Sequence, residues 1–487
     1  MLMNLEKIFK DFVENDIHFC HWKSNINIDD ACNGVGDLDL LFCKTQYALV
    51  TNLLVSNDFK RAESKLDRQY PGVEDYFGYD RQSGKIVHLQ AHYQLVTGQP
   101  LSKNYHFPIE GLILSNLPSD SSTPIPVPNK SLELILHVCR SFIKLGPKIV
   151  IRPALFKKHH AKALDEALHL MPDRISHADE KLIREGFPFI DYELLMSAVS
   201  AVTGPSKPFA WLKIRRNLLS ELSVLERRSS LGGVSAWITR RLYIWFYRKI
   251  AGTFPKRSLA TGGFGMAVVG SDGAGKSTAI EGMKSWLGGS FTVKHLHMGK
   301  PSPSLRLRIM SRLVRLVSRC TNNNLILPKA GMVGSTIWPS WLAWIPAYLY
   351  IALANDRWKC YMKARRYIGS GAIVVCDRFP LPDIKLMDSP KIKEISNVSN
   401  PFYSRLAKKE QKIYDKLSCL DMTFLLVVSP DVAVTRQPGD GDEYVKTRAN
   451  EVLSFSKNKS SNMEIIDAHQ SIENVQKSLK EIIWNCI

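Results

Sequence analysis

The chain has 487 residues, 45% hydrophobic and 23% charged, which is ordinary globular usage and excludes collagen-like, disulfide-scaffold and largely disordered classes. At roughly 150 residues per domain, this length implies about three units. Lys plus Arg number 65 against 46 Asp plus Glu, a formal charge of +19, which favours a polyanionic partner: nucleotide, nucleic acid, phosphosugar or the anionic face of a membrane. Nine scattered Cys form no CxxC pair and show no metal-ligand spacing, so reduced thiols in a cytoplasmic protein are expected. The first residues, Met1 to Lys7, hold no basic stretch followed by a long apolar run, so no signal peptide is read there.

In chain order, residues 1–128 mix short apolar runs, Leu38 to Phe42 and Ile86 to Leu89, with helical stretches, and end in the Pro/Ser-rich Ser119 to Pro128. This reads as an α/β unit. Residues 129–250 have helical periodicity, with Leu132, Leu134, Ile135, Val138 and Phe142 as one apolar stripe, and read as a helical connector. Residues 251–265, rich in Gly, read as a linker. From Met266 to Ile487 strands and helices alternate: strands at Met266 to Val269, Phe291 to Leu296, Ala372 to Val375 and Thr423 to Val428, with helices from Lys276 and up to Ile368. That alternation predicts an α/β fold with a parallel sheet covered on both faces. Ser335 to Ala354 is the longest apolar stretch, but Pro339, Pro346 and the following Asn355-Asp356-Arg357 favour a buried or interfacial helix over a membrane span.

The most specific signal is Gly270-Ser271-Asp272-Gly273-Ala274-Gly275-Lys276-Ser277-Thr278, a GxxxxGK[ST] match between a predicted strand and a predicted helix. Glycines let successive backbone N–H groups point at phosphate oxygens, and the following helix adds its partly positive N-terminus. Lys276 is expected on the β- and γ-phosphates of ATP and Ser277 on Mg²⁺. Further on, Ala372-Ile-Val-Val-Cys-Asp-Arg-Phe379 is an apolar strand ending in a carboxylate, so Asp377 is the candidate for the second Mg²⁺ contact. Arg378 and Arg357 suit an acceptor phosphate, because a guanidinium fork matches phosphate oxygens; structural ion pairs are the alternative for both.

With Ala354-Asn-Asp-Arg357 and Glu464 to Val475, these segments resemble the thymidylate kinase family of P-loop nucleoside monophosphate kinases from Met266 to the C-terminus. The resemblance implies that Asp272 approaches the acceptor, that Arg357 and Arg378 hold its phosphate, and that Arg436 and Arg448 lie near a lid over ATP. Two departures stand out: His295-Leu-His-Met-Gly-Lys-Pro-Ser-Pro303 replaces the usual Thr-Arg-Glu-Pro-Gly-Gly, and Pro380-Leu-Pro-Asp383 replaces the Ser-x-Ala-Tyr-Gln run. The acceptor pocket is therefore expected to differ from one for dTMP.

In the N-terminal stretch, Gly36-Asp-Leu-Asp-Leu-Leu-Phe42 places Asp37 and Asp39 at i and i+2 of a strand, on one face, as a two-metal phosphoryl-transfer site requires. With the Lys of His21-Trp-Lys-Ser24 ahead of it, this looks like a divergent member of the nucleotidyltransferase superfamily. The later strand Lys85 to His92 offers Gln90, His88 and His92 where an active member usually has a third carboxylate, which favours substrate binding over catalysis; a solvated Asp pair is the plain alternative.

Arg308, Arg312, Arg315 and Arg319 form one cationic stripe, and Trp237 to Lys249 combines aromatics with Arg240, Arg241, Arg248 and Lys249, suited to an anionic membrane surface. Solvated faces over ordinary cores are the alternative. No RNA-binding motif appears, so nucleic acid is the weaker partner. The sequence thus predicts an ATP- and Mg²⁺-dependent phosphotransferase, cytoplasmic or peripheral at the membrane, with an acceptor that is a nucleotide or another phosphorylated molecule. The alternatives are a sugar or glycolipid-precursor kinase of surface polysaccharide synthesis and a nucleotide-gated regulatory ATPase.

Overall fold

The structure, a computed structural model, describes residues 1–99, 101–118, 123–145, 153–171, 176–205, 207–250, 256–320, 344–381, 384, 388–395, 401–437, 442–457 and 462–487. Residues 251–255 of the linker, residues 335–343 of the apolar stretch 335–354 and the side chains of Arg315 and Arg319 lie outside them. The chain is mixed α/β and divides into two compact units, Met1–Arg257 and Ser258–Ile487.

In the first unit, strands Phe19–His21 (β1), Asp37–Phe42 (β2), Lys60–Glu63 (β3), Val73–Asp80 (β4) and Lys85–His92 (β5) lie in the order β1-β2-β5-β4-β3. β2 runs parallel to β5, with Asp37 opposite His88 and Asp39 opposite Gln90; the other pairs are antiparallel. Alternation along β2 sorts its side chains. Leu38, Leu40 and Phe42 pack with Ile8 and Phe12 of helix Met3–Glu14 (α1), where apolar residues recur three and four apart. Leu41 enters a second core with Trp22 and helix Lys130–Lys144 (α2). Asp37 and Asp39 share the parity of Leu41, so the helices predicted as a connector cover the face that carries the acid pair. Asn129 caps α2 by accepting from the Ser131 and Leu132 N–H groups. The predicted single stripe of α2 is too narrow: Glu133, His137 and Arg140 are buried along with its apolar residues, because other helices surround it.

In the second unit, after the two-residue strand Ser258–Leu259, strands Phe264–Gly270 (β6), Val293–His297 (β7), Ile373–Asp377 (β8), Met422–Val427 (β9) and Met463–Asp467 (β10) form a parallel sheet ordered β7-β8-β6-β9-β10. β6, Phe-Gly-Met-Ala-Val-Val-Gly, is buried throughout, as a central strand covered on both faces must be. Its C-terminal end leads into the glycine-rich loop and then helix Lys276–Gly288 (α3). Among the described residues no helix is long and apolar enough to cross a membrane. Residues 344–354 of the apolar stretch belong to helix Trp344–Gly369 (α4), which buries Ile345, Leu349 and Ile351.

Candidate functional site

The loop after β6 depends on glycine at two positions. Gly273 and Gly275 have φ of +79° and +81°, and a Cβ on Gly273 would lie 2.4 Å from the Ala433 carbonyl oxygen. The turn releases the chain into α3 at Lys276, so the helix N-terminus, with its unpaired N–H groups, faces the end of the sheet. A cavity of about 560 Å³ opens there, lined among others by Lys276, Ser277, His297, Asp377, Arg378 and Arg436. Asp272, Gly273, Ala274, Gly275 and Thr278 line it too, whereas Gly270, Ser271, Arg357 and Arg448 do not.

Lys276 is buried at 8% exposure and donates to the Ser271 carbonyl oxygen at 2.6 Å. Burial first, and then the neighbouring Arg378, push its ammonium down to about 8, with Arg448 acting in the same sense and Asp272 and Asp377 opposing. Asp272 accepts from Arg378 at 3.1 Å and from Arg448 at 2.6 Å, so the carboxylate that the resemblance directs at the acceptor is tied to two guanidinium groups. Arg378 holds φ at +59°, an uncommon conformation for a residue other than glycine, directly after the strand end.

Asp377 closes β8 in register with His297 of β7 and Val268 of β6. Its Oδ2 lies 3.5 Å from His297 Nε2, while its Oδ1 is buried with no hydrogen-bond partner among the described residues. The Lys300 N–H donates to His297 Nδ1 at 3.2 Å, so Nε2 is the ring nitrogen that faces Asp377. His297 was not singled out from the sequence as a site residue. Its signal was the two-residue alternation of His295 and His297 along a strand, read only as a departure from a familiar segment. A buried carboxylate oxygen without a partner, beside the Ser277 hydroxyl in the same cavity, fits a hard cation that takes oxygen ligands, and Mg²⁺ is such an ion.

Arg357 sits elsewhere. At 5% exposure it donates to the carbonyl oxygens of Met298, Gly299 and Asp388, to the Asp388 carboxylate and to the Tyr414 hydroxyl, which uses its donors on the protein itself. Arg436 donates to the Ala468 carbonyl oxygen at 2.8 Å and still lines the cavity.

The acid pair of the first unit differs from the expectation of a metal site. Asp39 Oδ1 lies 2.7 Å from Lys23 Nζ and 3.0 Å from His92 Nε2, and Asp37 Oδ1 lies 2.5 Å from His88 Nδ1. The other nitrogen of His88 meets Asp75 Oδ1 at 2.6 Å. Asp75, on β4, is the carboxylate that the sequence pattern does not reveal, because it lies on the neighbouring strand, opposite Gln90 of β5. It also takes Ser64, Gln90 and Arg257. Although burial alone favours protonation, Lys23 and His92 hold Asp39 well below the usual carboxylate range, and His88 and Arg257 do the same for Asp75. Burial depresses His88, and its bonds to Asp37 and Asp75 outweigh that and raise it. Lys23 and His92 engage Oδ1 of Asp39 and His88 engages Oδ1 of Asp37, so one oxygen of each acid is already taken by a nitrogen, which weakens the case for a metal pair. Among the described residues no three His, Cys, Asp or Glu side chains are placed to share an ion.

Compared with protein-family models and with curated proteins, the chain has no match.

Proposed function

We propose that the second unit is a P-loop phosphotransferase that moves the γ-phosphoryl group of ATP to an acceptor. The observation that carries this reading is the convergence of Lys276, Ser277 and Asp377 on one cavity at the N-terminus of α3. Ser277 and Asp377 would hold Mg²⁺, which when bound neutralises phosphate charge and orients the phosphates. Lys276 leaves the Ser271 carbonyl for the phosphates, and Arg378 stands at the strand end where charge develops during in-line transfer. The thymidylate kinase resemblance supports the reaction more than the acceptor.

A second reading of the acceptor is favoured by Arg357, whose engagement removes one of the two guanidinium groups assigned to an acceptor phosphate: the acceptor is then a sugar or glycolipid-precursor hydroxyl. ADP release measured across nucleoside monophosphates and sugar derivatives tests both. Stimulation by one acceptor class identifies it, and steady ATP hydrolysis unaffected by any acceptor replaces the kinase with a nucleotide-gated ATPase.

We also propose that helix Ser230–Lys249 (α5) makes peripheral contact with an anionic bilayer. Leu231, Ile238, Leu242 and Trp245 form one exposed stripe, at 84%, 45%, 59% and 53%, flanked by exposed Arg241, Arg248 and Lys249. Arg240 is not part of that surface, since it is buried and donates to the Leu101 and Gln69 carbonyl oxygens. Sedimentation with phosphatidylserine vesicles should fall several-fold for Ile238→Glu with Leu242→Glu. Unchanged sedimentation leaves the stripe a plain exposed face, and concentration-dependent self-association that the same pair abolishes assigns it to a second copy instead.

A further inference from the structure

The strongest cluster of charged side chains outside the cavity of the second unit lies beside the Lys23–Asp39 pair. Trp22, 2% exposed, is the hub: its ring carries Lys23 Nζ at 4.9 Å and the Arg140 guanidinium at 5.3 Å, and meets the His92 ring edge-on at 5.3 Å. Lys103 Nζ stands 4.6 Å over the ring of Tyr70. The asymmetry within this group is informative. Lys23 has Asp39. Among the described residues, neither Arg140, at 9% exposure, nor Lys103 has a hydrogen bond or ion pair to its charged group. The two carboxylates nearest in charge to Arg140 are engaged otherwise: Glu133 accepts from Asn25 at 2.7 Å, and Glu166 pairs with His137 at 3.1 Å.

Arg140 is 9% exposed, and among the described residues its guanidinium has no protein acceptor, so its donors are left to water and an anion that displaces that water meets donors already held in place. The placement of Lys103 argues the same way. Its φ is +39° and that of Leu101 is +79°, both in the sparsely populated left-handed region. The segment is held there by Arg240, donating to the Leu101 carbonyl oxygen, and by Arg227, donating to that of Lys103. Burial, followed by Lys23 and Arg140, pushes the Lys103 ammonium down to about 8, while Asp39 and Asp75 oppose; cations crowded this way gain from a shared anion. Ring contacts restrain the side chains of Lys103 and Arg140 before anything binds, which lowers the ordering cost of binding.

We propose that Arg140 and Lys103, next to the Lys23–Asp39 pair, form a metal-independent binding site for a phosphoryl dianion in the first unit. Arg140 and Lys103, with Lys144 adding its charge nearby, offer more positive charge than the engaged carboxylates take up, which suits a multiply charged anion. The guanidinium fork and the ammonium suit the tetrahedral oxygens of a phosphoryl group better than the flat, singly charged carboxylate. The acid pair then serves to position Lys23 and the histidines. This site stands apart from the phosphotransferase reading, since it shares no residue with it.

The test uses the full chain carrying Lys276→Ala, so that the glycine-rich loop does not dominate, titrated calorimetrically with inorganic phosphate at pH 7.5 in EDTA. One site is expected, retained in EDTA, and weakened about ten- to hundredfold by Arg140→Gln or by Lys103→Gln. Arg140→Lys should recover part of the loss. Lys103 sits on a loop, so its variant keeps the test decisive where replacing the buried Arg140 disturbs folding. No phosphate binding, or binding unaltered in a folded Lys103→Gln chain, overturns the proposal. Binding that appears only with Mg²⁺ or Mn²⁺ and disappears in Asp37→Asn overturns it in favour of a metal site. Equal binding of succinate overturns the phosphoryl assignment.

Discussion

Each unit contains a carboxylate at a strand end or on a strand face that sequence patterning marks for phosphoryl chemistry, and the two sit in opposite electrostatic states. Among the described residues, Asp377 keeps one buried oxygen without a partner beside an open cavity. Asp39 is flanked at hydrogen-bond distance by Lys23 and His92, and Asp37 and Asp75 clamp the two nitrogens of one histidine. A motif therefore states which side chains are present and on which face, while the surrounding cations decide whether an acid can accept a metal ion.

The largest expected effect tests the first half of that contrast. Lys276→Ala should lower ADP production by about a thousandfold or more, because charge stabilisation in phosphoryl transfer acts in a water-poor site. Circular dichroism should be unchanged, since among the described residues the ammonium meets only the Ser271 carbonyl oxygen and, at 3.9 Å, the Asp272 carboxylate of its own loop. Wild-type turnover in this variant removes the assignment of the cavity. The contrast itself is tested by two parallel substitutions. Asp377→Asn should reduce Mg²⁺-dependent turnover by about a hundredfold with little change in melting temperature. Asp39→Asn should leave turnover within a few-fold but destabilise the first unit by about 3 kcal/mol, because Lys23 loses its partner at a largely buried position. If Asp39→Asn instead abolishes a Mg²⁺-dependent nucleotidyl transfer present in the parent, the two acids are alike after all.

The smallest effect concerns pH. Burial raises Glu133 to about 7 from an ordinary value of 4.5, with the Asn25 hydrogen bonds opposing. The native state therefore binds this proton more tightly than the unfolded chain, so the contribution of Glu133 to stability is fully present below about pH 4.5 and is lost as pH rises through about 7. Glu133→Gln should flatten that slope and gain about 1–3 kcal/mol at pH 8 relative to the parent. Thermal melts at pH 5 and pH 8 measure the difference, and parallel profiles for parent and variant show that Glu133 does not titrate there.

What could be read directly from the sequence was contiguous or periodic. The glycine-rich loop, the strand before it and the helix after it lie within 25 residues, Phe264 to Gly288, and glycine, lysine and hydroxyl chemistry at fixed spacing is enough to place them. The two-residue alternation of β2 likewise put Asp37 and Asp39 on one face, because strand geometry allows nothing else. Periodicity also marked the 130–144 helix, but counted only the apolar residues as buried.

Tertiary structure decided everything that pairs residues far apart in the chain. Arg357 and Asp388 are 31 residues apart, Asp37 and His88 are 51, and Arg448 reaches Asp272 across 176. Whether a charged side chain faces a ligand or a neighbour depends on which other charges the fold brings within a few ångströms, since Coulomb energies and desolvation change steeply over that range. The sequence therefore determined the phosphate-loop pattern and the faces of the strands; only the folded chain consumed the donors of Arg357 and, among the described residues, left one Asp377 oxygen bare and set Arg140 beside Trp22 without an acceptor.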